Sequence, residues 1–177
     1  MGYQTQHGRM TKIGGWGFPH DDEGGGAWLG LQAMRVTLQW MDGRLPPCGL
    51  AEAIYAHFAQ DQRRLVTWAN QANSTAFAEL APFVIQQAQA GDSVAITCMQ
   101  QAAQAIDKMG VALLHAQSEK SEPLPCALIG GVAHFLEPYL SKALRARLRP
   151  CQATPDVGAI IFVRHHLTEV SKRTKHD

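Results

Sequence analysis

Three consecutive acids stand inside a glycine-rich segment near the amino terminus. Residues 14–26 contain Trp16 and the acids Asp21, Asp22 and Glu23 among several glycines. A carboxylate accepts hydrogen bonds from adjacent hydroxyl groups, and an aromatic ring offers an apolar wall to a sugar. Glycine lets the backbone approach a ligand closely. The segment therefore indicates a loop that binds a neutral polyol.

Phosphate is a poorer ligand for this segment. The G-x-G-x-x-G spacing fails, because Gly15 and Gly17 are followed by His20. The three acids would repel a phosphate group, although they favour the positive end of a following helix. In the alternative interpretation the acids only cap that helix and Trp16 belongs to the core. The residues alone leave both interpretations open.

A second candidate site consists of two glycines between a predicted strand and a predicted helix. The apolar run 124–129 is followed by Gly130 and Gly131, and a helix is predicted over residues 132–147. Nucleotides commonly dock where a strand passes through glycines into a helix N-terminus. The alternative is a plain strand-to-helix turn, with His134 as a packing residue.

The cysteines and histidines do not indicate a metal site. The cysteines are Cys48, Cys98, Cys126 and Cys151. They form no C-x-x-C pair and so give no zinc or iron–sulfur signature. Cys98 and Cys126 lie in apolar stretches and are expected in the core. His165 and His166 are adjacent, so they point to different faces of a helix and are expected at the surface.

The composition is that of a globular protein. The 177 residues are 46% hydrophobic and 18% charged, with a formal net charge of +1. That charge gives no electrostatic case for nucleic acid, and Arg145, Arg147 and Arg149 are expected to favour a helix end. No apolar run approaches the roughly 20 residues that span a bilayer, and no signal peptide is visible. We expect a cytoplasmic protein with neither a nucleic-acid nor a membrane partner.

Hydrophobic periodicity predicts a helix-rich chain. Helices are expected at 26–41, 50–59, 61–70, 79–90, 93–117, 132–147 and 156–168, and strands at 124–129 and 148–152. Candidate N-caps are Asn73, Ser74 or Thr75, and Asp92 or Ser93. Gly8 is placed for a hairpin turn, and residues 170–177 are expected to form a solvated tail.

Two of the predicted helices carry apolar stripes that should face a core. The first stripe comprises Ala27, Leu31, Met34, Leu38 and Met41. The second comprises Ala95, Cys98, Ala102, Ala105, Ile106, Met109 and Leu113. The first helix directly follows the acidic segment, so its packing should fix the position of that segment.

Taken in order, these motifs resemble a known family. Residues 13–17, with Asp22, Glu23, Gly24 and Trp28, are similar to the sugar-binding segment of N-acetylglucosamine and glucosamine kinases. Those kinases belong to the BadF/BadG/BcrA/BcrD-type ATPase group of the actin-like sugar kinase superfamily. The family's nucleotide-side helical segment, adenosine motif and final helix resemble residues 77–92, 128–132 and 155–159. The likeness runs from about residue 2 to residue 163.

The resemblance implies an α/β fold, a ribonuclease H-like (actin-like ATPase) lobe with a small mixed sheet and flanking helices. It implies that residues 1–177 form one domain, the C-terminal lobe of a two-lobed kinase. The implied amino-sugar residues are Gly15, Trp16, Gly17, Phe18, Pro19 and Asp22. The implied adenosine-side residues are Ala78, Gly130, Gly131 and Phe135. Asp21 stands where the family commonly has glycine or serine, and Gly25 where serine is common.

The implied activity is ATP-dependent phosphorylation of an amino sugar, either N-acetylglucosamine or glucosamine. In the family the phosphate loops and the catalytic aspartate precede the part that matches Gly2. We therefore expect no catalytic residue and no metal ligand in this chain, and we expect the chain to start, at Met1, partway through an enzyme. ATP and Mg²⁺ would be bound mainly by the N-terminal lobe. The chain alone is expected to be inactive.

The implied partners are the amino sugar, ATP, the N-terminal lobe and, in a homodimer, a second copy. Two alternatives stay open. One is an activator-type ATPase of the same family, whose iron–sulfur cluster needs cysteines at a dimer interface; the scattered cysteines argue against it. The other is a non-catalytic module that binds a sugar or a nucleotide.

Overall fold

A computed structural model describes residues 1–6, 9–117, 122–154 and 156–164. The helices are α1 (Gly26–Met41), α2 (Gly49–His57), α3 (Gln62–Gln71), α4 (Ser74–Ala78), α5 (Ala81–Gln89), α6 (Ser93–His115), α7 (Ala133–Leu136) and α8 (Lys142–Arg147). The strands are β1 (Gly2–Gln6) and β2 (Arg9–Ile13). They pair antiparallel with Gly2 opposite Ile13, and both contact α6. Residues 156–164 are also helical. The prediction of a helix-rich chain is confirmed.

Side-chain caps set the starts of several helices. Asp61, Asn73, Asp92 and Ser141 each accept a hydrogen bond from the backbone amide three residues further on. A short polar side chain at this position satisfies an amide that has no partner inside the helix. Among the predicted cap candidates, Asn73 and Asp92 therefore carry the role. The five predicted helices before residue 118 are confirmed, although the short α4 was not predicted.

Helix α1 lies at the centre of the fold, packed against α2, α4, α5 and α6. Because several helices cover it, its buried face is broader than the predicted stripe. The fully covered residues are Leu29, Gly30, Ala33, Met34 and Thr37. Thr37 tolerates burial because its hydroxyl donates a hydrogen bond to the Ala33 carbonyl at 2.8 Å. Of the predicted stripe, Met34 is buried and the others are half-buried.

Helices α1 and α4 approach each other closely at Gly30. A Cβ atom there would overlap the carbonyl oxygen of Phe77 in α4 and lie 2.8 Å from the carbonyl carbon. Only a residue without a side chain lets α1 and α4 come this near. The position of α1 is therefore fixed by backbone contact as well as by apolar packing.

The main core lies where α1, α2, α5 and α6 meet. Its largest fully covered side chains are Leu29, Leu50, Ile54, Leu65, Leu80, Val84, Met99 and Leu136. Cys98 is buried there, as predicted. Cys126 is half-buried and borders a second, smaller cluster formed by Ala103, Leu140 and Leu144, so its predicted place in the core is only partly right.

The second half of the chain differs from the prediction. The two predicted strands reduce to one parallel bridge between Cys126 and Leu148. The run 124–129 is not buried, since Ile129 exposes 70% of its surface. The predicted helix over 132–147 is broken into α7, a 3₁₀ turn and α8. Pro138 lacks the N–H that would continue the first helix, and Ser141 caps the next one.

Some predictions fall outside the described residues. These are the turn at Gly8, the histidines His165 and His166, the end of the last helix beyond residue 164, and the tail at 170–177. Within the described part of the chain, no helix combines the length and the apolar character that crossing a bilayer requires.

We predict that Gly30→Ala lowers the free energy of unfolding by about 3 kcal/mol or more, because the added methyl group meets a carbonyl that cannot move aside. Urea denaturation followed by circular dichroism measures the change. The control is Gly131→Ala, since no atom lies within 4 Å of the place a Cβ would take there. That control should change stability by less than about 0.5 kcal/mol. Equal stability of the two variants would contradict the close packing of α1 on α4.

Candidate functional site

The acidic loop, residues 14–25, joins β2 to α1 with a backbone that favours glycine. Gly15, Gly17 and Gly24 have φ values of 77°, 107° and 83°. Side chains are strained in this left-handed region. A Cβ on Gly24 would also lie 3.0 Å from the Ala102 carbonyl oxygen in α6. These glycines therefore shape the loop and let its end press against α6.

Asp21 closes the loop on itself. Its Oδ2 accepts a hydrogen bond from the Trp16 backbone amide at 2.9 Å, and its own amide donates to the Gly17 carbonyl at 2.9 Å. Backbone amides, chiefly that of Trp16, hold the pKa of the Asp21 carboxyl below its ordinary value of 3.8. Asp21, whose position resembles one where glycine or serine is common, thus organises the loop through its ionised carboxylate. The sequence analysis missed this role.

Trp16 projects from the loop into solvent. Its side chain is 82% exposed, so the alternative that places it in the core is wrong. The Lys12 ammonium lies 5.5 Å from the centre of its ring and donates to the Gly15 carbonyl at 3.2 Å. Lys12 therefore holds one side of the indole. The rest of this exposed ring is free to pack against a ligand.

Phe18 anchors the middle of the loop. Its ring centre lies 5.3 Å from that of Phe77, which is buried and in turn 5.1 Å from Trp68. The Phe18–Pro19 peptide bond is cis, and Pro19 is exposed. Phe18 is therefore a packing residue, and only its backbone is available to a ligand in the way the resemblance implies.

The acids of the loop do not cap α1. The N-cap is Gly25, which has no side-chain hydrogen bond, and the first turn contains no acid. Asp22 adopts a left-handed φ of 62°, and its carbonyl accepts from the Gly25 amide at 3.0 Å. Within the described part of the chain its carboxylate has no hydrogen bond and no ion pair. Asp22 is thus a half-buried acid with its acceptor atoms available.

A cavity of about 750 Å³ opens in front of Asp22. The acidic loop contributes residues 22–25 to one wall, and residues 124–129 form part of the wall that leads towards Gly130. Half-buried side chains of α6, including Ile106 and Met109, add apolar surface. The acidic loop and the segment that leads to the glycine pair therefore line the same cavity.

The glycine pair, Gly130 and Gly131, lies at a second cavity of about 400 Å³. Gly130 lines it together with His134, Glu137 and Cys151. Gly130 has a φ of 129°, and no atom lies within 4 Å of a Cβ placed on Gly131. Leu128 lines both this cavity and the cavity beside Asp22. A flat group can approach the backbone at these glycines.

Ala78 and Phe135 occupy other positions. A Cβ placed on Gly26 would lie 3.5 Å from the Ala78 Cβ and 3.8 Å from Val132 Cγ1. Ala78 therefore lies near Val132, the first residue after the glycine pair. Phe135 packs against the main core and contacts the His134 ring at a centre-to-centre distance of 3.6 Å. Neither residue lines the two cavities described above.

Arg147 also lines the first cavity, a position that the sequence analysis did not predict for it. It belongs to the last turn of α8, as expected for the basic cluster, and its Nε donates to the Leu124 carbonyl at 3.0 Å. The cavity thus contains a cation as well as Asp22. Its position depends on the parallel bridge at Leu148, which no local sequence pattern reveals.

Metal and thiol chemistry find little support in the described residues. They contain no group of three or more side chains that could hold a metal ion. Burial raises the pKa of the Cys98 thiol to about 11, so the thiol stays protonated and unreactive at neutral pH.

The lowered pKa of Asp21 predicts how the loop responds to acid. Because the folded-state pKa lies below 3.8, the contact with Trp16 is complete above that value and is lost as pH falls through the lowered pKa. In proton–nitrogen NMR spectra, the Trp16 amide shift should titrate with a midpoint below 3.8. Asp21→Asn should abolish this titration. Asp42→Asn, which alters the exposed ion pair with Arg44, should leave it unchanged. A midpoint at or above 3.8 would contradict the proposed closure.

Two curated relatives are similar over most of this chain. A glucosamine kinase from Vibrio cholerae is 28% identical over 161 residues, which cover 91% of this chain and 53% of the relative. An N-acetyl-D-glucosamine kinase from Dictyostelium discoideum is 27% identical, covering 89% of this chain and 54% of the relative. The chain therefore spans about half the length of the curated relatives it matches.

A solved structure gives the same result for the fold. The crystal structure of a putative N-acetylglucosamine kinase from Chromobacterium violaceum superposes with a TM-score of 0.78 at 32% identity. The match covers 87% of this chain and 52% of the kinase. The predicted actin-like ATPase fold is thereby confirmed. The family model of the BadF/BadG/BcrA/BcrD ATPases matches residues 1–163. Because this match covers most of the chain, the chain belongs to the BadF/BadG/BcrA/BcrD ATPase family.

Proposed function

We propose that this chain is the C-terminal lobe of a two-lobed kinase that transfers a phosphoryl group from ATP to N-acetylglucosamine or glucosamine. The observation that carries the proposal is the Asp22 carboxylate. It has no partner within the described residues and borders the same cavity as the segment that leads to the glycine pair. The names of the Vibrio and Dictyostelium relatives support the substrate class.

On the sugar side, Asp22 accepts hydrogen bonds from two neighbouring hydroxyl groups, which a carboxylate does with both oxygens. The exposed ring of Trp16 packs against the apolar face of the sugar. The backbone from Gly15 to Pro19 completes the pocket. Asp21 positions this backbone without touching the sugar, because its carboxylate is occupied by the Trp16 amide.

On the nucleotide side, the glycine pair holds adenosine. The open space at Gly131 and the cavity beside Gly130 admit a flat base or a ribose. Ala78 and Phe135 support this wall from behind, since both pack close to the segment that follows the glycines. The use of ATP is consistent with a cytoplasmic location.

The phosphates and Mg²⁺ belong to the N-terminal lobe in this proposal. The magnesium complex of ATP supplies the phosphoryl group, and the metal offsets the charge that develops on its oxygens. The acidic loop would repel phosphate, and the described residues include no cluster suited to a metal. The catalytic aspartate is likewise assigned to the N-terminal lobe. We accordingly expect residues 1–177 alone to lack kinase activity.

We predict that Asp22→Asn weakens amino-sugar binding by about 1–3 kcal/mol, because the amide replaces one acceptor oxygen with a donor and removes the charge. Asparagine is chosen because it tolerates the left-handed φ of this position. Calorimetric titration of N-acetylglucosamine and of glucosamine measures the effect in the natural polypeptide, by which we mean the proposed two-lobed protein.

The matched control is Glu52→Gln, a change at an exposed position of α2 that borders neither cavity. It should leave sugar affinity unchanged. If Asp22→Asn also leaves affinity unchanged, Asp22 does not bind the sugar. If the natural polypeptide binds no amino sugar but hydrolyses ATP, the kinase assignment is wrong and an activator-type ATPase takes its place.

We further predict that Gly131→Val lowers ATP affinity at least about tenfold while sugar affinity stays within about twofold. The valine side chain fills the space that the base or ribose would occupy. Fluorescence titration with a nucleotide analogue measures the first effect and calorimetry the second. An equal loss of both affinities would indicate that the fold has changed. Unaltered ATP binding would remove the glycine pair from the nucleotide site.

A further inference from the structure

One peptide group of the acidic loop lies between two side chains of opposite charge. The Lys12 ammonium donates to the Gly15 carbonyl at 3.2 Å, and the Trp16 amide donates to Asp21 Oδ2 at 2.9 Å. That carbonyl and that amide belong to the same peptide group, which is trans. Since the C=O and the N–H of a trans peptide point in opposite directions, the cation and the anion hold its two ends.

The two charges favour the same orientation of this group. A peptide carries partial negative charge on its carbonyl oxygen and partial positive charge on its N–H. Lys12 faces the negative end and Asp21 the positive end. Turning the group over would aim the N–H at the ammonium and the carbonyl at the carboxylate, so both contacts would become repulsive. Hydrogen bonds with a charged partner are also stronger than neutral ones. Each contact therefore reinforces the other.

The backbone of the loop does little to fix this orientation by itself. Gly15 precedes Trp16 and Gly17 follows it, with φ values of 77° and 107°. Glycine has no Cβ to restrict its torsions, so a peptide group beside it turns more easily than one between larger residues. Packing against the core resumes only with Phe18. The orientation at Trp16 therefore depends on the two charged contacts.

Strand β2 places Lys12 where it also reaches the indole. Lys12 is exposed whereas its neighbours Thr11 and Ile13 are half-buried, which is the alternation of a strand with one solvent face. The Lys12 ammonium lies over the Trp16 ring, 5.5 Å from its centre. A cation in this position is attracted to the ring and covers one of its faces. The opposite face is left for a ligand, since the side chain as a whole is 82% exposed.

We propose that Lys12 and Asp21 form a clamp on the peptide group between Gly15 and Trp16, and that Lys12 is a positioning residue that sets the face of Trp16 presented to the sugar. The alternative is a surface lysine whose contacts add nothing measurable. Against this alternative, the same ammonium contacts both the carbonyl before Trp16 and the Trp16 ring. The inference rests on the proposed function for the identity of the ligand. The clamp itself is a property of the ligand-free protein.

Hydrogen exchange at the Trp16 amide tests the clamp in the natural polypeptide without ligand. Lys12→Met keeps a side chain of similar length but removes the charge. Because Lys12 binds the carbonyl and not this amide, its loss should reach the amide through the shared peptide group. We expect exchange at least about threefold faster than in the unchanged protein. Without a clamp, losing a nearby cation acts in the opposite direction, because it lowers the local concentration of hydroxide, the catalyst of exchange. Unchanged or slower exchange would overturn the proposal.

Two further variants serve as controls for this measurement. Lys12→Arg keeps a cation that donates to a carbonyl and stacks on an aromatic ring, so it should preserve slow exchange. Lys108→Met removes an exposed lysine of α6 that lines neither cavity, and it should leave exchange at Trp16 unchanged. Equally fast exchange in Lys108→Met would show that any loss of positive charge has this effect, which contradicts the clamp.

Steady-state kinetics of the natural polypeptide tests the positioning role. Lys12→Met should raise KM for the amino sugar about fivefold and leave kcat within about twofold, because the clamp acts on binding and not on the reacting atoms. In the double variant with Asp21→Ala, KM should rise by less than the product of the two single effects, since both residues hold one peptide group. An unchanged KM in Lys12→Met, or effects that multiply, would refute this role. If no amino sugar is phosphorylated, the proposed function fails, and the exchange measurement still decides whether the clamp exists.

Discussion

The backbone contact between Gly30 and the Phe77 carbonyl is the constraint on which the arrangement of the sites depends. It fixes α1 against α4, and α1 begins directly where the acidic loop ends. At that same start, a Cβ placed on Gly26 would lie within 3.8 Å of the side chains of both Ala78 and Val132. One helix thereby sets the acidic loop, α4 and the segment after the glycine pair in fixed relative positions. The position of the loop therefore depends on a packing contact that lies several residues further along the chain.

Local sequence signals were sufficient for the five longer helices of the first two-thirds of the chain, although not for the short α4. Short polar side chains next to the helix cap α3 and α6, and glycine or proline stands near several helix boundaries. The later segments could not be predicted in this way. An apolar run such as 124–129 forms a strand only where another strand pairs with it, and among the described residues this pairing reduces to a single bridge. Pro138 was visible in the sequence, but its effect on the helix was overlooked.

The residue types of the acidic loop were visible in the sequence, but the separate roles of its neighbouring acids were not. Adjacent acids look alike in a sequence, whereas the structure separates them: Asp21 is bound to the Trp16 amide and Asp22 is unoccupied. The choice depends on how the glycines turn the backbone, which spacing does not specify. The motifs of the resemblance named the loops, and their sugar and nucleotide roles stay predictions. Spacing could not show that the acidic loop and residues 124–129 line one cavity, because that depends on contacts between distant parts of the chain.

Asp92 carries a consequence for the cooperativity of the fold. One of its oxygens accepts from Ala95 at the start of α6, and the other accepts from Leu50 at the start of α2 at 3.3 Å. A single carboxylate therefore accepts hydrogen bonds at the starts of two helices whose first residues, Gly49 and Ser93, are 44 positions apart in the chain. Because the two helix starts share this side chain, we expect them to open together rather than independently.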